Sequence, residues 1–189
     1  MAEPLLLLVA GAPGSGKTTV ANRLAQALNL PLLVKDGIKE TLFETLGYSD
    51  LEWAGKLSLT TYNLLYFFLE IELRAGHSLI VESNFDRKLH ESRMHELRQK
   101  YPFDIFQLYC RADDSTILER YSQRGETEGR HPGHLDHLRT EDLKLALEEG
   151  RYDPLELGGI TRIVDTTDFT KIDYASLLDE IKAALSMAA

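Results

Sequence analysis

The sequence predicts a three-layer α/β fold: a five-stranded parallel sheet with helices on both faces and a mobile lid. Two observations carry this expectation. Short apolar runs at 5–10, 32–35, 78–82, 103–110 and 160–164 alternate with longer segments whose apolar residues recur at helical spacing. Parallel strands joined by crossover helices give that alternation. The second observation is Gly11-Ala12-Pro13-Gly14-Ser15-Gly16-Lys17-Thr18, set between the first apolar run and the amphipathic run 17–28. A strand that feeds a glycine-rich turn and then a helix presents free backbone N–H groups and a positive dipole end to an anion.

Composition narrows the class. A chain of 189 residues with 43% hydrophobic and 27% charged residues suits one domain, 1–189, with a substantial core. A net charge of -9 argues against broad affinity for nucleic acid and favours small-molecule partners. The single cysteine, Cys110, closes an apolar run and reads as a core thiol in a reducing compartment. Glu3 stands where a secretory signal would carry basic residues. The greasy segment 57–69 is broken by Thr60, Thr61 and Asn63, short of the ~20 apolar residues of a membrane span. The expectation is a soluble cytoplasmic protein.

In chain order, Pro31 punctuates, and residues 32–35 form a buried strand that ends at Asp36-Gly37. Ile38, Leu42, Phe43 and Leu46 have helical period, closed by Gly47. A long helix follows over 50–75, with Asp50 as N-cap, Gly76 as terminator and a core stripe of Trp53, Leu57, Leu64, Leu65, Phe68 and Ile71. Its apolar residues occupy more than one face, which leaves deep burial and a dimer surface both open. Strand 78–82 leads through Asp86, an N-cap, into helix 87–100. Strand 103–110 leads to helix 113–124, where Asp113 or Asp114 caps. Residues 125–139, with their glycines, proline, Arg130, His131, His134 and His137, read as a mobile surface lid spanning about 124–140. Helices at 140–149 and 173–187 flank the last strand.

The candidate site residues fall after the strands. Gly11, Ala12, Pro13, Gly14, Ser15, Gly16, Lys17, Thr18 and Thr19 make the nucleotide cradle. Lys17 reaches the β- and γ-phosphates, and the Thr18 hydroxyl ligates Mg²⁺. Glu82 ends the third strand, where a carboxylate holds a Mg²⁺-bound water or, alternatively, substrate. Asn84 and Arg87 lie just beyond, within reach of an acceptor, though Arg87 could equally face solvent. Arg120 and Arg124, four apart, share a helical face pointing toward the lid. No DxxG switch occurs in the chain, and Thr170-Lys171-Ile172-Asp173 reads as a helix start, not a guanine-recognition motif. The histidines at 131, 134 and 137 are spaced for one helical face, but Pro132 and Gly133 oppose a helix there. A substrate-contacting lid is the preferred reading over zinc, with His131 or His134 titrating near neutral pH.

GAPGSGKTTVA, Asp36, LIVESNF, YCRADDSTILERYSQR and IVDTT together resemble the small AAA-like P-loop kinases, among them chloramphenicol phosphotransferase, zeta-toxin kinases and the polynucleotide kinase domain. The resemblance covers most of the chain. It implies a P-loop kinase fold and a Mg²⁺-dependent transferase moving the γ-phosphate of ATP to a hydroxyl of a sugar, nucleoside or antibiotic. It also implies that Asp36 is the general base, that Arg124 and Arg120 contact the ATP phosphates as the lid closes, and that Arg130 follows them. For Asp36 the competing reading is an N-cap. The alternatives in function are a polynucleotide 5′-hydroxyl kinase and a regulatory ATPase that signals to a protein partner.

Overall fold

The computed structural model describes residues 3–125 and 130–188. Strand β1 (Leu5–Ala10) leads to α1 (Lys17–Leu28), then β2 (Leu32–Val34), α2 (Lys35–Leu46) and α3 (Leu51–Arg74). β3 (Leu79–Glu82), α4 (Arg87–Lys100), β4 (Asp104–Arg111) and α5 (Asp114–Gly125) follow. Two single 3₁₀ turns, Pro132–His134 and Asp136–Leu138, precede α6 (Thr140–Glu148), β5 (Ile160–Asp165), a third 3₁₀ turn (Phe169–Lys171) and α7 (Tyr174–Ala188). The sheet has the order β2-β3-β1-β4-β5, and every pairing is parallel.

β1 is the middle strand, and all six of its residues are buried. Successive strand side chains point to opposite faces, so β1 serves two cores at once. Leu5, Leu7 and Val9 pack with Val20 and Leu24 of α1 and Leu177 and Ile181 of α7. Leu6, Leu8 and Ala10 pack with Leu65, Leu69 and Leu73 of α3 and Met94 and Leu97 of α4. Each fully buried leucine contributes about 1.5–3 kcal/mol of apolar transfer. A continuous apolar run is what a strand covered on both faces requires. Cys110 lies in the first of these cores, and burial pushes its thiol up to about 12, which keeps it protonated and inert.

Helix starts follow the capping residues. The Asp50 carboxylate accepts from the Trp53 N–H at 2.9 Å, Asp86 from Lys88 at 3.0 Å and Asp173 from Ser176 at 3.0 Å. Asp173 thus starts α7, as the helix-start reading of residues 170–173 requires.

Two local expectations are corrected. The second strand is only three residues long and half-buried at the sheet edge, so the chain turns helical at Lys35 and Asp36 sits in the first turn of α2. The N-cap position belongs to Val34, with no side-chain cap, which removes the N-cap reading of Asp36. The buried residues of α3 are Ala54, Leu57, Thr61, Leu65, Tyr66, Leu69 and Leu73. Leu57 and Leu65 were in the expected set, whereas Phe68 is 39% exposed, beside Phe67 at 58%. On a helix with apolar residues on several faces, periodicity alone does not select the buried one. Residues 130–139 of the expected lid form short turns against α2, with His134 and Asp136 buried. Residues 126–129 lie outside the described residues.

Candidate active site

The loop between β1 and α1 runs close to its neighbours, and its glycines answer to that. Gly11 has φ +139°, and a Cβ there would sit 2.3 Å from the Cys110 carbonyl oxygen. Gly16, at φ +82°, would place a Cβ 2.4 Å from the Phe169 ring. Thr166, following β5, braces the loop from beneath: its buried hydroxyl lies 2.6 Å from the Ser15 carbonyl oxygen, to which it donates. The Ser15 Oγ is itself buried and has no hydrogen-bond partner among the described residues. Ser15 is 0% exposed, so it is the amides at the start of α1 and the Lys17 ammonium, not this hydroxyl, that fit a phosphate oxygen.

Strand register supplies the next group. Glu82 pairs with Val9 on one side and with Val34 on the other, which sets its carboxylate beside the loop that follows β1. Thr18 Oγ1 donates to Glu82 Oε2 at 3.0 Å, and the Lys17 ammonium lies 3.9 Å from Oε1 while donating to the Ala12 carbonyl at 3.0 Å. Burial lowers the Lys17 pKa against the pull of Glu82, and burial raises that of Glu82 against the pull of Lys17. Each therefore depends on the other, or on a ligand, to stay charged. Thr18 and Glu82 present hard oxygen donors side by side, the donor chemistry that suits Mg²⁺. Glu82→Gln is expected to raise the Mg²⁺ concentration for half-maximal turnover by about ten- to a hundredfold, measured by titrating Mg²⁺ at saturating nucleotide. An unchanged midpoint would move Glu82 from the metal to the acceptor.

A chain of ion pairs forms the far wall. Arg130 donates from Nη1 to Asp36 Oδ2 at 2.7 Å and from Nε to Asp136 Oδ2 at 2.8 Å. Arg124 Nε reaches the same Asp136 oxygen at 3.0 Å, and Lys35 holds the other Asp36 oxygen at 2.9 Å. The run Arg124–Asp136–Arg130–Asp36–Lys35 thereby latches α5 and the 130–139 segment onto α2. Burial opposes the Asp36 charge, but Lys35, Arg130 and His134 outweigh it and hold the carboxyl well below its ordinary range.

These groups share one cleft of about 460 Å³, lined by Lys17, Thr18, Asp36, Glu82, Asn84, Arg124 and Arg130 among others. Asn84 and Arg130 therefore sit where an acceptor could touch them. Arg87 does not: it pairs with Glu91 at 3.4 Å and Glu156 at 2.6 Å on the outer side of α4, so its assignment to substrate is corrected. Arg120 and Arg124 also diverge. Arg120 donates to the Thr166 and Thr167 carbonyls at 3.0 Å each, with its guanidinium 4.7 Å from the Phe169 ring centroid. It faces the loop after β5, not the lid. Together with Arg124, Phe169, Gly14, Gly16, Thr18 and Thr19 it lines a second, shallower pocket over the phosphate loop, so the two arginines bond different partners but still share this pocket.

Two of the lid histidines pack against α2. His134 Nε2 lies 2.8 Å from Glu40, and His131 stacks on Phe43 at 4.9 Å with Nε2 3.1 Å from Glu44. Burial, reinforced by Arg130, Lys35 and Lys39 against Asp36, pushes His134 down to about 3. It does not titrate near neutrality. Among the described residues no group of three or more His, Cys, Asp or Glu side chains could hold a metal ion. Lys35, Lys39, Asp136, Thr166 and Phe169 were not singled out from sequence. IVDTT does contain Thr166, but as a motif letter it does not say which hydroxyl turns under the loop.

An open parallel sheet with a glycine-rich loop after β1 and its polar groups gathered at the strands' carboxyl ends defines the class of P-loop phosphate-binding α/β proteins. Residues 6–149 match the family model described as an AAA domain, so the chain belongs to that family, with the fold of the small P-loop kinases. A Chloroflexus aurantiacus J-10-fl protein, named a "putative kinase" in its crystal structure, is 38% identical. The match covers 97% of this chain and 98% of that one, with a TM-score of 0.88. A sugar kinase from Janibacter sp. HTCC2649 shares 18% identity over 100% of this chain and 96% of that one, at a TM-score of 0.57. The Mycobacterium tuberculosis APS kinase CysC, solved with AMPPNP and APS, shares 16% over 98% of both chains, at 0.58. At such identities these two show a common fold. No curated protein matches the sequence.

Proposed function

We propose that the protein transfers the γ-phosphoryl group of ATP to a hydroxyl of a small molecule. The observation that carries this is the placement of Lys17, Thr18 and Glu82 in the same cleft as an ionised, doubly ion-paired Asp36. Lys17 and the loop amides bind and orient the phosphates, and Arg124 adds positive charge where the transition state spreads its negative charge. Mg²⁺ held through Thr18 and Glu82 supplies charge neutralisation across the phosphates. Asp36 accepts a hydrogen bond from the acceptor hydroxyl and aims its oxygen. As the new O–P bond forms and the bridging P–O bond of ATP breaks, the hydroxyl proton passes to Asp36 or through it to solvent, and ADP leaves. The transition state is loose, so orientation matters more than basicity, and a carboxylate held by two cations is well suited to orient. Arg120 and Phe169 are assigned to the base side of the nucleotide, where a flat guanidinium and a ring offer stacking surfaces.

On this reading residues 1–189 act as one unit in the cytoplasm, on a small-molecule hydroxyl substrate and without nucleic acid. The acidic net charge of -9 supports the last point. The test is a screen of sugars, nucleosides, hydroxylated antibiotics and 5′-hydroxyl oligonucleotides for ADP formation and transfer of labelled γ-phosphate. At least one small molecule is expected to be labelled. Labelling confined to oligonucleotides would replace the small-molecule reading with a polynucleotide one. ATP consumption that no hydroxyl compound raises, but a protein partner does, would overturn phosphotransfer altogether.

A further inference from the structure

The cation balance of the cleft is uneven. Of the basic residues lining it, Lys17 has Glu82, Lys35 has Asp36, Arg124 and Arg130 share Asp136, and Arg151 has Asp86 at 2.7 Å. Lys39 and Arg139 line the same cleft, and neither forms an ion pair among the described residues. Lys39 is the more unusual: its side chain is buried, at 2% exposure, and its ammonium meets only the Ser58 hydroxyl, to which it donates at 2.7 Å, and the Phe43 ring, 5.2 Å away, among the described residues. Ser58 in turn donates to the Ala54 carbonyl at 2.9 Å. An ammonium has three protons to place, and a buried cation without a carboxylate is costly. Lys39 and Arg139 both line the one cleft, and burial, then Lys35, Arg139 and Arg130, outweigh the pull of Asp36 and push Lys39 down to about 7, the sign of repulsion among neighbouring cations. Asp142, also in the lining, is exposed on α6 and sits within one turn of Arg139 without pairing to it.

Repulsion of this kind is relieved by a shared anion. Phosphate binding already has its own cations in Lys17 and Arg124. Lys39, on the α2 wall with Asp36, and Arg139, at the start of α6, belong to the acceptor's side. We propose that the acceptor carries an oxyanionic group, a carboxylate or a phosphate ester, seated between Lys39 and Arg139. The acceptor's role rests on the phosphotransfer reading above; the anion site does not.

The experiment compares matched acceptors with and without the anion: glucose against gluconate and glucose 6-phosphate, ribose against ribose 5-phosphate. The expected result is transfer to anionic members only, with the gluconate and phosphate-ester arms showing which oxyanion is preferred. Lys39→Gln is expected to raise the acceptor KM by at least about tenfold, with kcat and the KM for ATP within about twofold and Lys39→Arg restoring most of the loss. A purely structural Lys39 would lower the melting temperature without that split. Should Lys39→Gln not fold, Arg139→Gln, at a half-exposed position, carries the same expectation. Preferred transfer to neutral compounds, or an acceptor KM that ignores both substitutions, overturns the proposal. If no compound is phosphorylated, phosphotransfer fails but the anion site is still decided. Calorimetry with inorganic phosphate, on protein saturated with a non-hydrolysable ATP analogue, should then register binding that Lys39→Gln abolishes. Absent or unaltered binding would refute the site.

Discussion

Lys17→Ala is expected to lower kcat by about 10²–10³ and to weaken ATP binding. Removing one preorganised donor to the charge that develops in transfer has that scale of effect in other enzymes. The local structure adds a second consequence. Lys17 is 5% exposed, and its ammonium is the nearest cation to Glu82, which is 4% exposed. Without Lys17, Glu82 loses the charge that opposes its burial and shifts further toward the neutral acid. Mg²⁺ dependence should therefore deteriorate together with turnover, a coupling that a simple loss of phosphate contact would not produce. Single-turnover transfer and a Mg²⁺ titration of the variant check both, with thermal unfolding to establish that it folds. Near-normal kcat in folded Lys17→Ala protein would contradict the central role given to residues 11–18.

For Asp36→Asn the expected loss is about 10²–10⁴ in kcat, with ATP affinity nearly unchanged. Asparagine keeps the shape and one acceptor oxygen but cannot remain anionic between Lys35 and Arg130. Because Arg130 also bonds Asp136 at 2.8 Å and Glu40 lies 3.8 Å from it, the latch keeps part of its support and the lid segment should stay docked. A fall in kcat at steady KM for ATP and little change in melting temperature assigns Asp36 to the acceptor; equal losses in both would make it a strut. The pH profile gives an independent reading. The folded-state pKa of Asp36 is depressed below its ordinary 3.8, so the stability it contributes is present above the unfolded value and is lost only as pH falls through the lower folded one. Any acid-side decline in wild-type activity above about pH 4 must then come from another group.

How much of the molecule could be read in advance differed by residue. Asp50, Asp86 and Asp173 were legible as caps because capping is local: the side chain bonds an N–H two or three positions on. Gly11 to Thr18 were legible because strand, loop and helix are consecutive. The directions of Arg87 and Arg120 were not legible because each depends on partners 46 to 69 residues away, Glu156 for Arg87 and the Thr166 and Thr167 carbonyls for Arg120. Asp136 gave no signal at all, since an aspartate in a polar turn looks like any other until two arginines close on it.

Sequence by itself therefore determined the parallel α/β class, the strand and helix sequence and the phosphate loop, all of which follow from periodicity and short-range chemistry. Tertiary structure alone decided which cations found carboxylates and which were left without. Electrostatic pairing is settled by distance in space, and the packing of α2, α5 and the 130–139 turns brings together charges that the chain order keeps as many as 94 residues apart.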